Sequence, residues 1–160
     1  MAQADQATID LLTDYFDAME SKDFDRLGSF YADNITQTFA NAPTITGRDT
    51  LLARMVDLLG KVKSLAHPMI NVWQEDGGVV IFEVTSIWRL HDGSEVKINA
   101  CSIFTLVDGK FTDQRIYGDN APVDSLLNEA EIGLQPDPGA LASVAGLQPK
   151  HVALAVDDEP

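Results

Sequence analysis

The chain has 160 residues, 11 Lys+Arg against 25 Asp+Glu, a formal net charge of −14 and a pI near 4.3. A chain of this length and ordinary apolar content, 45%, folds as one domain with a sizeable core. So acidic a surface repels phosphate backbones, which excludes a basic nucleic-acid groove and a polybasic membrane patch. No apolar run approaches the roughly 18 residues of a membrane span, so a membrane role is not expected. The opening MAQADQATIDLL lacks a positive segment and a long apolar stretch, so it does not read as a secretory signal. Cys101 is the single cysteine, and His67, His91 and His151 lie far apart. No disulfide, metal site or cofactor is expected, and a reducing cytoplasm is the default compartment.

The charge is concentrated at the ends. Residues 1–25 carry seven acids and one base, and residues 119–160 carry eight acids and only Lys150. The middle, 26–118, holds ten acids and nine bases and is close to neutral. Solvated helix faces and an acidic tail account for this pattern.

In chain order, Ile9, Leu12, Phe16 and Met19 recur at helical spacing, with Asp5 as the cap and Asp10, Asp14 and Asp17 on the wet side. Asp23 can cap a second short helix with Phe24, Leu27, Phe30 and Tyr31 as its stripe. Asn34 to Thr38 reads as a short strand, followed by a loop through Asn41-Ala42-Pro43 and Gly47. A third helix is predicted from Asp49 to Lys63, with Leu52, Met55, Val56 and Leu59 on one side.

Strands then take over. His67 to Glu75, Val79 to Leu90, Ser94 to Val107 and Lys110 to Gly118 are separated by Asp76-Gly77-Gly78, His91-Asp92-Gly93 and Asp108-Gly109. Three tight turns between four strands make an antiparallel meander. Helices first and meander last give an α+β domain, with about three N-terminal helices on one face of a curved, mainly antiparallel sheet. The composition shifts near Ser125, so 1–124 reads as the domain and 125–160 as a C-terminal extension. Leu126, Leu127 and Ile132 could form a short helix there.

Local text supports one resemblance. Tyr15-Phe16-Asp17-Ala18-Met19 followed by Lys22-Asp23-Phe24-Asp25-Arg26-Leu27, then Phe30-Tyr31-Ala32-Asp33-Asn34, resemble the opening of nuclear transport factor 2-like proteins. So does Thr46-Gly47-Arg48-Asp49. Phe104 to Lys110 with Arg115-Ile116-Tyr117-Gly118-Asp119 resemble the closing hairpin of SnoaL-like and ketosteroid isomerase-like members. The match covers roughly residues 5–124. It implies a cone-shaped, cystatin-like fold whose pocket takes a small hydrophobic ligand and whose convex sheet face commonly forms a homodimer. It does not fix one activity, because this fold carries isomerases, epoxide hydrolases, cyclases, dehydratases and plain binding modules.

By that resemblance Tyr15 matches the oxyanion-donating tyrosine of the steroid isomerases. Their proton-shuttling aspartate is matched by Thr38, and their second oxyanion donor by Ser102. Aligning Asp119 with the last Asp of the cyclase motif puts Ile116 at the catalytic aspartate position. The hydrolases' Arg-x-Asp pair is replaced by Glu83-Val84-Thr85. The usual catalytic aspartates are therefore absent.

Strand parity adds an independent list. Glu83, Thr85 and Ile87 share one face, and Val84, Ser86 and Trp88 the other. Ile98, Ala100, Ser102 and Phe104 share a face, as do Thr112, Gln114 and Ile116. A mid-strand carboxylate among apolar neighbours, if it faces a cavity, is a candidate acid/base. An ion pair with Lys97 or Arg115, or an exposed face, would also explain Glu83. Glu83 and Tyr15 are thus the catalytic candidates. Ser102, Gln114, Thr38, Thr85, Ile116 and Asp119 are the ligand-binding candidates. His67 before Pro68 reads as structural, and Trp73 and Trp88 as core or dimer contacts. Cys101, opposite in parity to Ser102, falls on the convex side. Two functions remain open: a cofactor-free isomerase, cyclase, dehydratase or hydrolase acting by acid/base chemistry on a small hydrophobic carbonyl or cyclic compound, or a non-catalytic ligand-binding or dimerisation module.

Overall fold

The computed structural model describes residues 2–124. The expected extension, 125–160, with its short helix, lies outside the described residues. The chain begins with β1 (Ala2–Gln3), α1 (Gln6–Glu20) and α2 (Phe24–Ser29). Next come β2 (Tyr31–Phe39), β3 (Ile45–Thr46) and α3 (Arg48–Lys61). The rest is β4 (Ser64–Ala66), β5 (Met69–Glu75), β6 (Val79–Arg89), β7 (Glu95–Val107) and β8 (Lys110–Gly118), closed by a 3-10 turn at Ala121–Val123.

Both predicted caps form. The Asp5 carboxylate accepts from the Thr8 N–H at 2.8 Å, and that of Asp23 from the Arg26 N–H at 3.1 Å. Each satisfies an amide that the helix leaves unpaired. Arg26 then reaches back to Asp17 and Asp14 at 2.7 and 3.3 Å, tying α2 to the wet side of α1.

The strands form one open, mostly antiparallel sheet in the order β1-β5-β6-β7-β8-β2-β3, with β4 also on β6. One pairing is parallel, β2 with β8. The helices lie on one face of the sheet. Leu12 and Tyr15 of α1, Leu51 and Leu59 of α3, and Phe82, Phe104 and Phe111 of the sheet are essentially unexposed. Each such side chain contributes about 1.5–3 kcal/mol by leaving water. This is the expected α+β cone.

Four details differ from the sequence reading. Tyr31 opens β2 and is not part of a helical stripe. In α3 the buried set is Leu51, Met55, Leu58 and Leu59, while Val56 is exposed. Thr112 does not stay in step with Gln114, because Leu106 pairs with Phe111 and Thr105 with Asp113, leaving Thr112 as a bulge. Finally, the strand expected over 67–75 begins only at Met69, and a separate short strand, β4, precedes it. Pro68 has no N–H to give a ladder, so the chain breaks at His67-Pro68 between β4 and β5. Both strands still pair with β6, through Ala66 with Ile87 and Met69 with Val84.

Candidate functional site

Between the helices and the sheet lies a cavity of about 680 Å³. Its wall takes Tyr15, Phe16 and Met19 from α1, Met55 and Leu58 from α3, and alternate residues of β6 and β7. The β6 residues are Val84, Ser86 and Trp88, and the β7 residues are Ile98, Ala100, Ser102 and Phe104. Gln37 and Phe39 of β2 and Ile116 of β8 add to the wall, and Asp119 and Asn120 follow β8 at the cavity. The volume suits a small organic molecule, and the lining is mostly apolar with a few polar groups.

Of the sequence-derived candidates, Tyr15, Ser102, Ile116 and Asp119 line this cavity. Gln114 is fully buried directly behind it. Its side-chain oxygen accepts from Gln37 Nε2 at 2.8 Å, and its Nε2 donates to the Tyr15 hydroxyl at 3.2 Å. The Tyr15 and Tyr31 hydroxyls are 3.2 Å apart. Four polar side chains thus form one buried, neutral chain. Burial pushes the pKa of Tyr15 up, and burial with the neighbouring Tyr15 pushes that of Tyr31 well up. Both phenols are held neutral. The Asp119 carboxylate accepts from the Ala121 N–H at 3.0 Å, so this residue both caps a turn and borders the cavity.

Three candidates are not brought to the cavity. Glu83 and Thr85 alternate with Val84 and Ser86 and therefore stand on the opposite side of the sheet. Glu83 is half-buried there, and its Oε2 accepts from Asn71 Nδ2 at 2.6 Å. The ion pair with Lys97 or Arg115 is corrected, since Lys97 pairs with Glu95 and Arg115 with Asp113, whereas the outward-facing alternative agrees with this placement. Thr85 donates to Asn99 Oδ1 at 2.9 Å. Thr38 alternates with Gln37 and Phe39, and its hydroxyl meets that of Thr44 at 2.8 Å. Cys101 is exposed, as its parity required.

The structure assembles a second polar group that the sequence reading missed. At the β4–β5 break the His67 N–H has no strand partner. Glu20, the last residue of α1, takes it on Oε1 at 2.6 Å. The same oxygen lies 3.2 Å from His67 Nδ1. On the far side of the ring, Nε2 lies 3.0 Å from the Ser86 hydroxyl. Phe16 stacks on the imidazole with ring centroids 4.6 Å apart and planes 18° apart. The His67 side chain is 10% exposed. In the tautomer that carries its proton on Nδ1, facing the carboxylate, Nε2 presents its lone pair to the Ser86 O–H. His67 and Ser86 both line the cavity. The arrangement is carboxylate, imidazole, hydroxyl, in hydrogen-bond reach throughout.

Trp88, two residues beyond Ser86, also lines the cavity and was expected in the core or at a dimer contact. It is 7% exposed, and its indole Nε1–H has no hydrogen-bond partner among the described residues. Among the described residues, no three His, Cys, Asp or Glu side chains cluster as a metal site. No described helix is long and apolar enough to cross a membrane.

Comparison with known proteins agrees with the architecture. An M. tuberculosis epoxide hydrolase of the LEH-like kind superposes with a TM-score of 0.63 at 21% identity, covering 79% of this chain and 92% of that one. TerC, solved with polyporic acid, gives 0.64 at 12% identity, covering 75% and 97%. A Catenulispora acidiphila protein with a ketosteroid isomerase-like fold, solved with trimethylamine, gives 0.62 at 16% identity, covering 78% and 93%. At these identities the likeness is one of fold. No curated protein matches the sequence. The SnoaL-like domain matches residues 12–114, most of the described chain, and the protein belongs to that family.

Proposed function

We propose that the cavity binds a small, largely apolar compound bearing a carbonyl or a ring oxygen, and that His67 moves a proton on it without a cofactor. The observation that carries this is the His67–Ser86 pair in the wall of a mostly apolar cavity, with Glu20 behind the imidazole. Glu20 orients the ring and stabilises the imidazolium that forms when Nε2 takes a proton. Nε2 receives that proton directly or through the Ser86 hydroxyl. Phe16 holds the ring plane by stacking. The Tyr15 hydroxyl, kept neutral by burial, donates to the developing oxyanion when the ligand displaces Tyr31 as its partner. Removal of a proton next to a carbonyl, followed by its return elsewhere, covers isomerisation, cyclisation and dehydration alike.

One observation favours the second reading, a binding module without turnover. Tyr15, Gln114, Gln37 and Tyr31 satisfy one another, so the deep end holds its shape with no ligand. The outer side of the sheet fits a second copy of the chain. Trp73, Ile81 and Ile103 lie in one row across β5, β6 and β7 there, half-buried, with Tyr117 exposed one row away.

The test is deuterium exchange at the α-carbon of cyclic ketones in D2O, followed by NMR. The wild type is expected to speed exchange, and His67→Gln to lose that acceleration by about a hundredfold or more. A ketone that binds and shifts the His67 ring signals without any exchange supports the binding module instead.

A further inference from the structure

We propose that Ser86 is a nucleophile and that the cavity hydrolyses small apolar esters or lactones through an acyl-Ser86 intermediate. The inference rests on the reading of His67 as the cavity's proton carrier and adds a covalent step to it. Three observations on one wall support it. The Ser86 hydroxyl is 3.0 Å from His67 Nε2, and His67 Nδ1 is 3.2 Å from Glu20. A nucleophile, a base in reach of it and a third group orienting the base are the pattern of activated serines on unrelated folds. Ser86 lies on the cavity side of β6, between Val84 and Trp88, so an apolar acyl chain has a wall to rest on. Trp88 contributes a buried indole N–H with no acceptor among the described residues, on the same side of the same strand. A developing oxyanion needs such a donor, and a buried N–H without an acceptor is costly unless something binds it.

The step balances. Ser86 Oγ bonds to the ester carbonyl carbon, its proton passes to His67 Nε2, and the carbonyl electron pair moves onto oxygen. The Trp88 N–H stabilises that oxyanion. The carbonyl re-forms, the bond to the leaving alkoxide breaks, and the alkoxide takes the proton from Nε2. A water molecule then adds to the acyl carbon, giving its proton to Nε2. Ser86 Oγ leaves and takes that proton back. Ester and water become acid and alcohol, or, for a lactone, a single hydroxy acid. Glu20 takes no part in the transfers and stabilises the imidazolium twice. No donor other than water is consumed.

The test uses the full chain with p-nitrophenyl butyrate and, separately, diisopropyl fluorophosphate, read by nitrophenolate release and by peptide mass spectrometry. The expected result is one adduct per chain, on Ser86, with a nitrophenolate burst. Ser86→Ala and His67→Gln should each lower acylation about a thousandfold, and Glu20→Gln about ten- to a thousandfold. Trp88→Phe should slow it about a hundredfold, and an unchanged rate there overturns the indole's part. Melting temperatures are compared for every variant, and Ser86→Gly stands in if Ser86→Ala does not fold. An adduct found elsewhere, on exposed Cys101 for instance, overturns the proposal. If Ser86 stays unlabelled while ketone exchange persists in Ser86→Ala, the nucleophile falls and proton transfer by His67 stands. If both activities are absent, both readings fall.

Discussion

The buried chain of Gln37, Gln114, Tyr15 and Tyr31 makes a quantitative prediction about stability. Gln114 is fully buried, accepts from Gln37 and donates to Tyr15. In Gln114→Leu the Gln37 amide, 9% exposed, loses its acceptor, which costs about 1–3 kcal/mol. Tyr15 loses one partner and keeps Tyr31, which costs about 0.5–1.5 kcal/mol. Removing the buried amide itself returns about 1 kcal/mol. The net loss is therefore about 0.5–3.5 kcal/mol. Tyr15→Phe alone strands Gln114 Nε2 and the Tyr31 hydroxyl and should cost about the same. The two substitutions share one hydrogen bond, so the double variant should be less destabilised than the two losses combined, by about 1 kcal/mol. Urea unfolding followed by tryptophan fluorescence gives all four stabilities, with the slope m checked for constancy. Additivity to within about 0.5 kcal/mol would refute the idea that these side chains form one network.

Alkaline solution gives a second check. Burial raises the pKa of both Tyr15 and Tyr31 in the folded chain. Their neutral forms therefore contribute stability that is fully present below about pH 10, the unfolded value, and is lost as pH rises through the folded values. Stability should fall by up to about 2.7 kcal/mol per pH unit above pH 10, and Tyr31→Phe should halve that slope; equal slopes would contradict it. On the outer face, Ile103→Lys should turn a dimer into a monomer by sedimentation while shifting the melting temperature by only a few degrees, and an unchanged sedimentation coefficient sinks the dimer surface.

Most of the architecture was legible because its signals are local. Asp5 and Asp23 cap helices through their own next turn, and glycine turns at Gly77, Gly93 and Gly109, all at positive φ, mark the hairpins. The parallel β2–β8 pair was not legible, since it joins strands separated by most of the domain. Parity placed Ser102 and Ile116 correctly because β7 and the end of β8 keep register. It could say that Glu83 and Thr85 share a face, but not which face is concave. The apolar set Val80, Phe82, Val84 and Trp88 carried that information, because the side with the buried apolar run must face the helices. The Thr112 bulge breaks parity with no sequence marker. Glu20, His67 and Ser86 come from α1, the β4–β5 break and β6, 47 and 19 residues apart, so no spacing rule joins them. The one available clue was the His-Pro pair, where a strand must break and an amide must find another acceptor.

The two polar chains of the cavity differ in what chemistry they can do. Tyr15, Tyr31, Gln37 and Gln114 are neutral, and burial pushes the phenols further from ionising. Such a chain can hold a ligand's oxygen by exchanging one hydrogen bond for another, but it cannot take a proton away near neutral pH. Glu20, His67 and Ser86 reverse this, because an imidazole with a carboxylate on one nitrogen can accept a proton on the other and give it up again. A ligand spanning the cavity between the two would meet a donor at one end and a base at the other. Phe16, Phe104 and Met19 add aromatic and aliphatic surface to the same lining. Thr38 and Ile116 stand where the resemblance puts aspartates, and the proposed acid–base role falls instead to the wall built from the end of α1 and the break between β4 and β5.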